Sequence, residues 1–188
     1  MTGAVPKLTV DRNVILSVLN RETGHEFASR IFVAHTNRSV AVAVSAANRV
    51  ENSKSGAPIQ PLDALLEDCH AAGLIEPEIL DYPLDWEMGL WEHSIISQEG
   101  YDLELAIHQV LFPHIPTCRA DDQSLSHKRK VTNAKSDVFA VWGHMFFKRD
   151  YFVTKDGRFL DRRERLEGLG AKGICTPQQF IEAGIVCI

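Results

Sequence analysis

The chain reads as an α/β protein, a three-layer sandwich in which helices flank a mostly parallel central sheet. Three observations predict this class. Short β-prone runs, KLTV (7–10), SVAVAVS (39–45) and YFVT (151–154), are separated by segments of helical character. The run 39–45 is continuously apolar and rich in valine, as in a strand buried on both faces of a parallel sheet. Strands alternating with helices feed a parallel sheet, and such sheets bind ligands at the carboxyl ends of their strands.

The elements follow in order. KLTV is a short strand followed at once by Asp11, and VILSVLN reads as a helix with Asn13 as its cap. HEFASRIFVAH (25–35) is helical, with Phe27, Ile31 and Ala34 on one face. After the strand 39–45, AANRVENS is mildly helical, KSGAPIQP loop-like and LDALLEDCHAAG helical again. From about 74 to 132 the pattern weakens, with one helix expected at YDLELAIHQVLF and a mobile loop at TCRADDQSLSHKRK. Asp137 to Lys148 is apolar nearly all round and reads as a buried helix opened by Asp137. YFVT is the next strand, GRFLDRRERLEGLG is partly helical, and KGIC is a further short strand. TPQQF begins a last helix, with Thr176 as cap and Pro177 at the first helical position, where its missing N–H costs nothing.

A length of 188 residues predicts a single domain over 1–188, with an insertion around 74–132. A hydrophobic share of 45% is enough to bury a core without disulfides. A net charge of −5 excludes a nucleic-acid binder that works by bulk electrostatics, but not an enzyme whose metal site itself needs acids. Cys69, Cys118, Cys175 and Cys187 are scattered without a CxxC pair, which predicts reduced thiols and a cytoplasmic protein. The N-terminus turns polar after ten residues and so lacks a signal-peptide core, and no apolar run is long enough to predict a membrane span.

The chemistry is expected at the strand ends. Asp11 follows the first strand, Asp156 follows YFVT, and Asp137 opens the helix leading into YFVT. If the two strands are central and parallel, all three carboxylates reach one edge of the sheet. Converging carboxylates repel and raise one another's pKa unless a cation lies among them. Oxygen-only ligands suit Mg²⁺ or Mn²⁺ rather than zinc. Each aspartate is equally an ordinary residue of its place: Asp137 can cap a helix, and Asp156 in KDG can turn the chain.

Four stretches together, VDRNVIL (10–16), SAANRVE (45–51), Asp137 ahead of an apolar helix and FVTKDGRF (152–159), resemble a PIN-domain nuclease. The terminal TPQQFIEAG is similar to that family's closing segment. The resemblance covers residues 7–73 and 133–184 and says little of 74–132. It implies a PIN-like sandwich and metal-dependent hydrolysis of phosphodiester bonds in single-stranded RNA. Asp11, Asp137 and Asp156 would hold Mg²⁺ or Mn²⁺. Glu51 would be the fourth catalytic acid, with Asn48 as the alternative reading of that segment. Asn13 and Thr154 would orient the carboxylates or a bound water. Toxins of the family are held inactive by a small antitoxin protein and often form homodimers. The same resemblance allows a catalytically silent module whose acidic pocket receives a basic partner segment.

Other features were weighed against plainer readings. HEFAS lacks the second histidine of HExxH, no GxxxxGK[ST] is present, and Asn13 stands where a DxDxT phosphatase needs an aspartate. Lys128 and Arg129 lie in the densest basic run, HKRK, which is either a solvated stretch or a substrate contact. Arg158 is the best placed arginine to meet a phosphate. Trp86 and Trp91 read as core or interface residues, and His144 as a packed core residue rather than a catalyst.

Overall fold

The computed structural model describes residues 4–50, 61–85, 91–118 and 124–185. In chain order the elements are β1 (Lys7–Val10), α1 (Arg12–Leu19), α2 (His25–Thr36), β2 (Ala41–Ser45), a 3-10 turn (Ala46–Val50) and α3 (Leu62–Ala71). There follow β3 (Glu78–Leu80), β4 (Tyr82–Pro83), β5 (Ser94–Ile95), α4 (Gln98–Leu111) and α5 (Leu125–Phe146). The chain closes with β6 (Tyr151–Val153), α6 (Gly157–Asp161), α7 (Arg163–Gly168), β7 (Ile174–Cys175) and α8 (Pro177–Glu182).

Five strands form a wholly parallel sheet in the order β3-β2-β1-β6-β7. Strand alternation sends side chains to two separate cores. Leu8, Val10, Val42, Val44 and Val153 join residues of α1, α2, α3 and α8 on one face. Phe152 and Ile174 join residues of α4, α5 and α7 on the other. The result is a helix–sheet–helix arrangement. The short parallel ribbon β4–β5 lies outside the main sheet, whereas β3, from the stretch expected as an insertion, pairs with β2 inside it.

Three expectations need correction. Asn13 does not cap α1: the cap position is Asp11, and Asn13 lies inside the helix. Asp137 does not open its helix either, because α5 begins at Leu125, with the Ser124 hydroxyl accepting from the His127 N–H. The second half of the expected mobile loop, SLSHKRK, is therefore helix and its cap. KRKVTNAKS holds no glycine or proline, so nothing stops the helix from extending its polar face back along the chain. The apolar stretch alone understated its length.

α5 packs close to the sheet. A Cβ on Gly143 would stand 3.3 Å from the Leu80 Cβ and the Asp81 carbonyl oxygen, so glycine there lets α5 approach β3. His144 is fully buried, as expected of a core residue. Its Nδ1 lies 3.2 Å from the Thr9 hydroxyl and its Nε2 2.9 Å from the Lys172 carbonyl oxygen. Burial pushes its pKa down to about 4. The buried Arg149 guanidinium donates to the carbonyls of Leu8 and Ala41 and pairs with Glu78, joining the first three strands near their amino ends. The last helix is built as its sequence predicts: Thr176 and Gln179 form a reciprocal capping box, with Pro177 in the first turn.

Cys69, Cys118 and Cys175 are free thiols. Among the described residues, no helix is long and apolar enough to cross a membrane.

Candidate active site

β1 is where the sheet changes direction. The chain builds β1, β2 and β3 to one side, then returns to lay β6 and β7 on the other. A crevice opens beyond the carboxyl ends of strands at such a switch point. Val10 is paired with Val153, and the Asp11 N–H still donates to the Val153 carbonyl at 3.0 Å. Asp11 and Thr154 are thus the first residues beyond the last paired position, side by side.

Their side chains form one tight network. The Thr154 hydroxyl donates to Asp11 Oδ2 at 2.6 Å, and the Asn13 amide donates to the same oxygen at 2.7 Å and to Thr154 Oγ1 at 3.1 Å. Thr154 Oγ1 also accepts from the Asp156 N–H at 3.0 Å, and Asn13 Oδ1 accepts from the Lys155 N–H at 3.0 Å. Asp11 is 2% exposed and its carboxylate makes no bond to the backbone of the helix it precedes. It is held instead by neutral donors from two neighbouring segments.

Asp156 does what an aspartate in KDG is expected to do: it caps α6, with Oδ1 accepting from the Arg158 N–H at 2.8 Å. The same carboxylate also takes the Arg158 guanidinium. Burial pushes the Asp156 pKa up, but the hydrogen bonds and charge of Arg158, with the charge of Arg162, outweigh it and hold the group below its ordinary value. The other side of the Arg158 fork pairs with Asp137, Nη1 to Oδ2 at 3.0 Å. Asp137 sits in the middle of α5 and is 3% exposed, while the Arg158 side chain is 47% exposed. The guanidinium carbon lies 5.4 Å from the centre of the Phe112 ring, at the end of α4.

Asp11, Thr154, Asp156, Arg158 and Asp137 therefore form one continuous chain of contacts. Asn13 sits within it. Arg158, read from sequence as a phosphate contact, bridges two acids in this structure. Lys128 and Arg129 stand in the first turn or so of α5, roughly 12–14 Å along its axis from Asp137 at 1.5 Å per residue. Glu51 and Trp86 lie outside the described residues.

The 3-10 turn after β2 carries Asn48, the sequence's alternative to Glu51, and is held by Arg12 and Ser136, which the sequence did not single out. The Arg12 guanidinium donates to the Asn48 carbonyl at 2.8 Å and pairs with Asp68 at 2.9 Å. The Ser136 hydroxyl, beside Asp137, donates to the Ala47 carbonyl at 2.9 Å. Between these anchors Asn48 is 1% exposed, and among the described residues neither its Nδ2 nor its Oδ1 has a hydrogen-bond partner. An orphaned buried amide costs roughly 1–3 kcal/mol, so such a group is not placed idly. No residue pattern marks Arg12 as buried, since arginine is seldom so.

The donors gathered here are carboxylate, hydroxyl and amide oxygens, the hard set that Mg²⁺ and Mn²⁺ take. The guanidinium held between Asp137 and Asp156 is itself the cation that balances this pair. In kind, the residues fit a divalent ion. In the arrangement described, two of the three carboxylates are engaged by Arg158, and among the described residues no group of three or more His, Cys, Asp or Glu side chains is set to hold a metal. Set beside known proteins, the chain matches no family model, no curated protein and no solved structure.

Proposed function

We propose that the chain is a PIN-like endoribonuclease dependent on Mg²⁺ or Mn²⁺, hydrolysing phosphodiester bonds of single-stranded RNA. One observation supports this reading most: Asp11 and Asp156, following neighbouring parallel strands at the switch point, are linked through Thr154 and Arg158 to Asp137. Asp11, Asp137 and Asp156 would hold the ion, with Glu51 as a further catalytic acid. A metal in such a site supplies an activated water and positive charge for the phosphate.

The chain's own residues have definable tasks. Asn13 and Thr154 fix the Asp11 carboxylate in one orientation, as outer partners of ligating groups do. Asp156 is oriented by its bonds to α6. The proposal extends to a toxin role, with a small antitoxin covering the acids and two copies forming a homodimer in the cytoplasm.

The test is calorimetric titration with Mn²⁺ and Mg²⁺ alongside cleavage of a generic single-stranded RNA, for the wild type and Asp11→Asn. Binding and cleavage that both vanish in the variant would establish the reading, and a folded protein that binds neither ion would sink it. The engagement of Arg158 with two acids favours one alternative, a catalytically silent module whose acidic pocket takes an arginine or lysine of a partner.

A further inference from the structure

Arg158 has a duty beyond those of its neighbours. Its guanidinium is shared between a carboxylate buried in the middle of α5 and one that caps α6, and it lies over Phe112. Two carboxylates so close would repel each other without a cation between them. The side chain supplying that cation is half exposed, so it has solvent to swing into. Lys155 is turned away to Glu22 and the Thr23 carbonyl, so it does not duplicate the role.

We infer that Arg158 is a built-in competitor for the cation site: the Asp137–Asp156 pair exchanges the guanidinium for a divalent metal ion, and binding of the metal releases Arg158 toward solvent. This inference rests on the proposed metal site and adds its regulation. The competition follows from charge and geometry. A guanidinium and a hard cation cannot both occupy the oxygens of one carboxylate pair, and any metal that enters displaces the fork. Apparent metal affinity is then the intrinsic affinity reduced by the fraction of molecules in which Arg158 has let go. If that fraction is on the order of one in ten, removing the side chain strengthens binding about tenfold. The freed guanidinium has the planar fork that suits a phosphodiester, which would recover for the substrate the contact it loses from the acids.

The experiment is calorimetric titration of the full chain with Mn²⁺, comparing wild type, Arg158→Met, Arg158→Gln and Arg158→Lys. Thermal unfolding with and without Mn²⁺ runs alongside, both to confirm folding and to read binding a second way. The expected result is about tenfold tighter binding in Met and Gln, an intermediate gain in Lys, which keeps the charge but not the fork, and a larger Mn²⁺-induced rise in Tm for the neutral variants. Wild-type binding with equal or weaker binding in the Met and Gln variants would overturn the competition while leaving the metal site standing. Absence of binding in all four folded proteins would overturn both the competition and the metal reading on which it rests.

Discussion

Two ends of one acidic network are built on different principles. At the β1–β6 end, Asp11 is buried and fixed by a threonine hydroxyl brought in by strand pairing and an asparagine amide from the first turn of α1, both neutral. At the α5–α6 end, Asp137 and Asp156 are matched by one arginine whose side chain is half exposed. Neutral short donors hold a geometry because they have few alternatives once the sheet is formed. A long cationic side chain balances charge but leaves at small cost. The contrast divides the network into a half held by short neutral donors and a half held by one long cationic side chain, the division that the proposed exchange of Arg158 for a metal ion would need.

The largest expected effect comes from breaking the half held by neutral donors. Asp11→Ala leaves the Thr154 hydroxyl and the Asn13 amide without their acceptor and should lower stability by about 3 kcal/mol. Thr154→Val removes the hub but leaves Asn13 its bond to Asp11, at a cost of about 1–2 kcal/mol. Urea unfolding of both variants measures the difference, and equal small losses would remove the distinction between the two ends.

A pH experiment tests whether α5, which bears Asp137, is anchored on the sheet through its buried histidine. The His144 pKa is pushed down to about 4, whereas an unfolded histidine titrates near 6.5. Between those values the unfolded chain binds more protons, so stability rises with pH. The contribution is full above about 6.5 and is lost as pH falls through about 4. His144→Gln should flatten that part of the stability curve, read by denaturant midpoints from pH 4 to 7.

The half held by Arg158 should respond less. Arg158→Ala should cost about 1–2 kcal/mol in stability, because it takes the guanidinium from the buried Asp137 carboxylate, while solvent screens the half-exposed arginine end and makes the loss smaller at high salt. Asn48→Ala should be the mildest. Among the described residues its amide has no partner to lose, and relief of its desolvation cost is offset by the packing removed, so the net shift in stability should be under about 1 kcal/mol. If Asn48 serves a ligand, the same change should weaken RNA or metal binding well beyond that shift, which filter binding and calorimetry measure.

Much of the frame was legible along the chain. The apolar run 39–45 and the pattern of KLTV and YFVT gave the parallel strands, because a strand buried on both faces must be apolar throughout. TPQQF gave its helix and cap, because capping chemistry is local. The acids beyond β1 and β6 could be placed at one edge for the same reason, once the two strands were taken as parallel.

What the chain could not show depends on residues far apart in sequence. The α5 start lay hidden in a polar stretch whose helicity is supported by a helix that continues into the core. The burial of Arg12 depends on Asn48 and Asp68, 36 and 56 positions away, meeting it at one end of α1. The coupling of Arg158 to Asp137 depends on a side chain from the first turn of α6 reaching the middle of α5, since no short-range rule joins positions 21 residues apart. By itself the sequence determined strands β1, β2, β6 and β7, the closing cap and the presence of acids at strand ends, all fixed by local pattern and covalent geometry, whereas β3, β4 and β5 lay in a stretch without a readable pattern. Only the tertiary structure decided that Thr154 locks Asp11 and that one arginine bridges the other two acids, because the first is set by the order of strands in the sheet and the second by where α5 and α6 lie upon it.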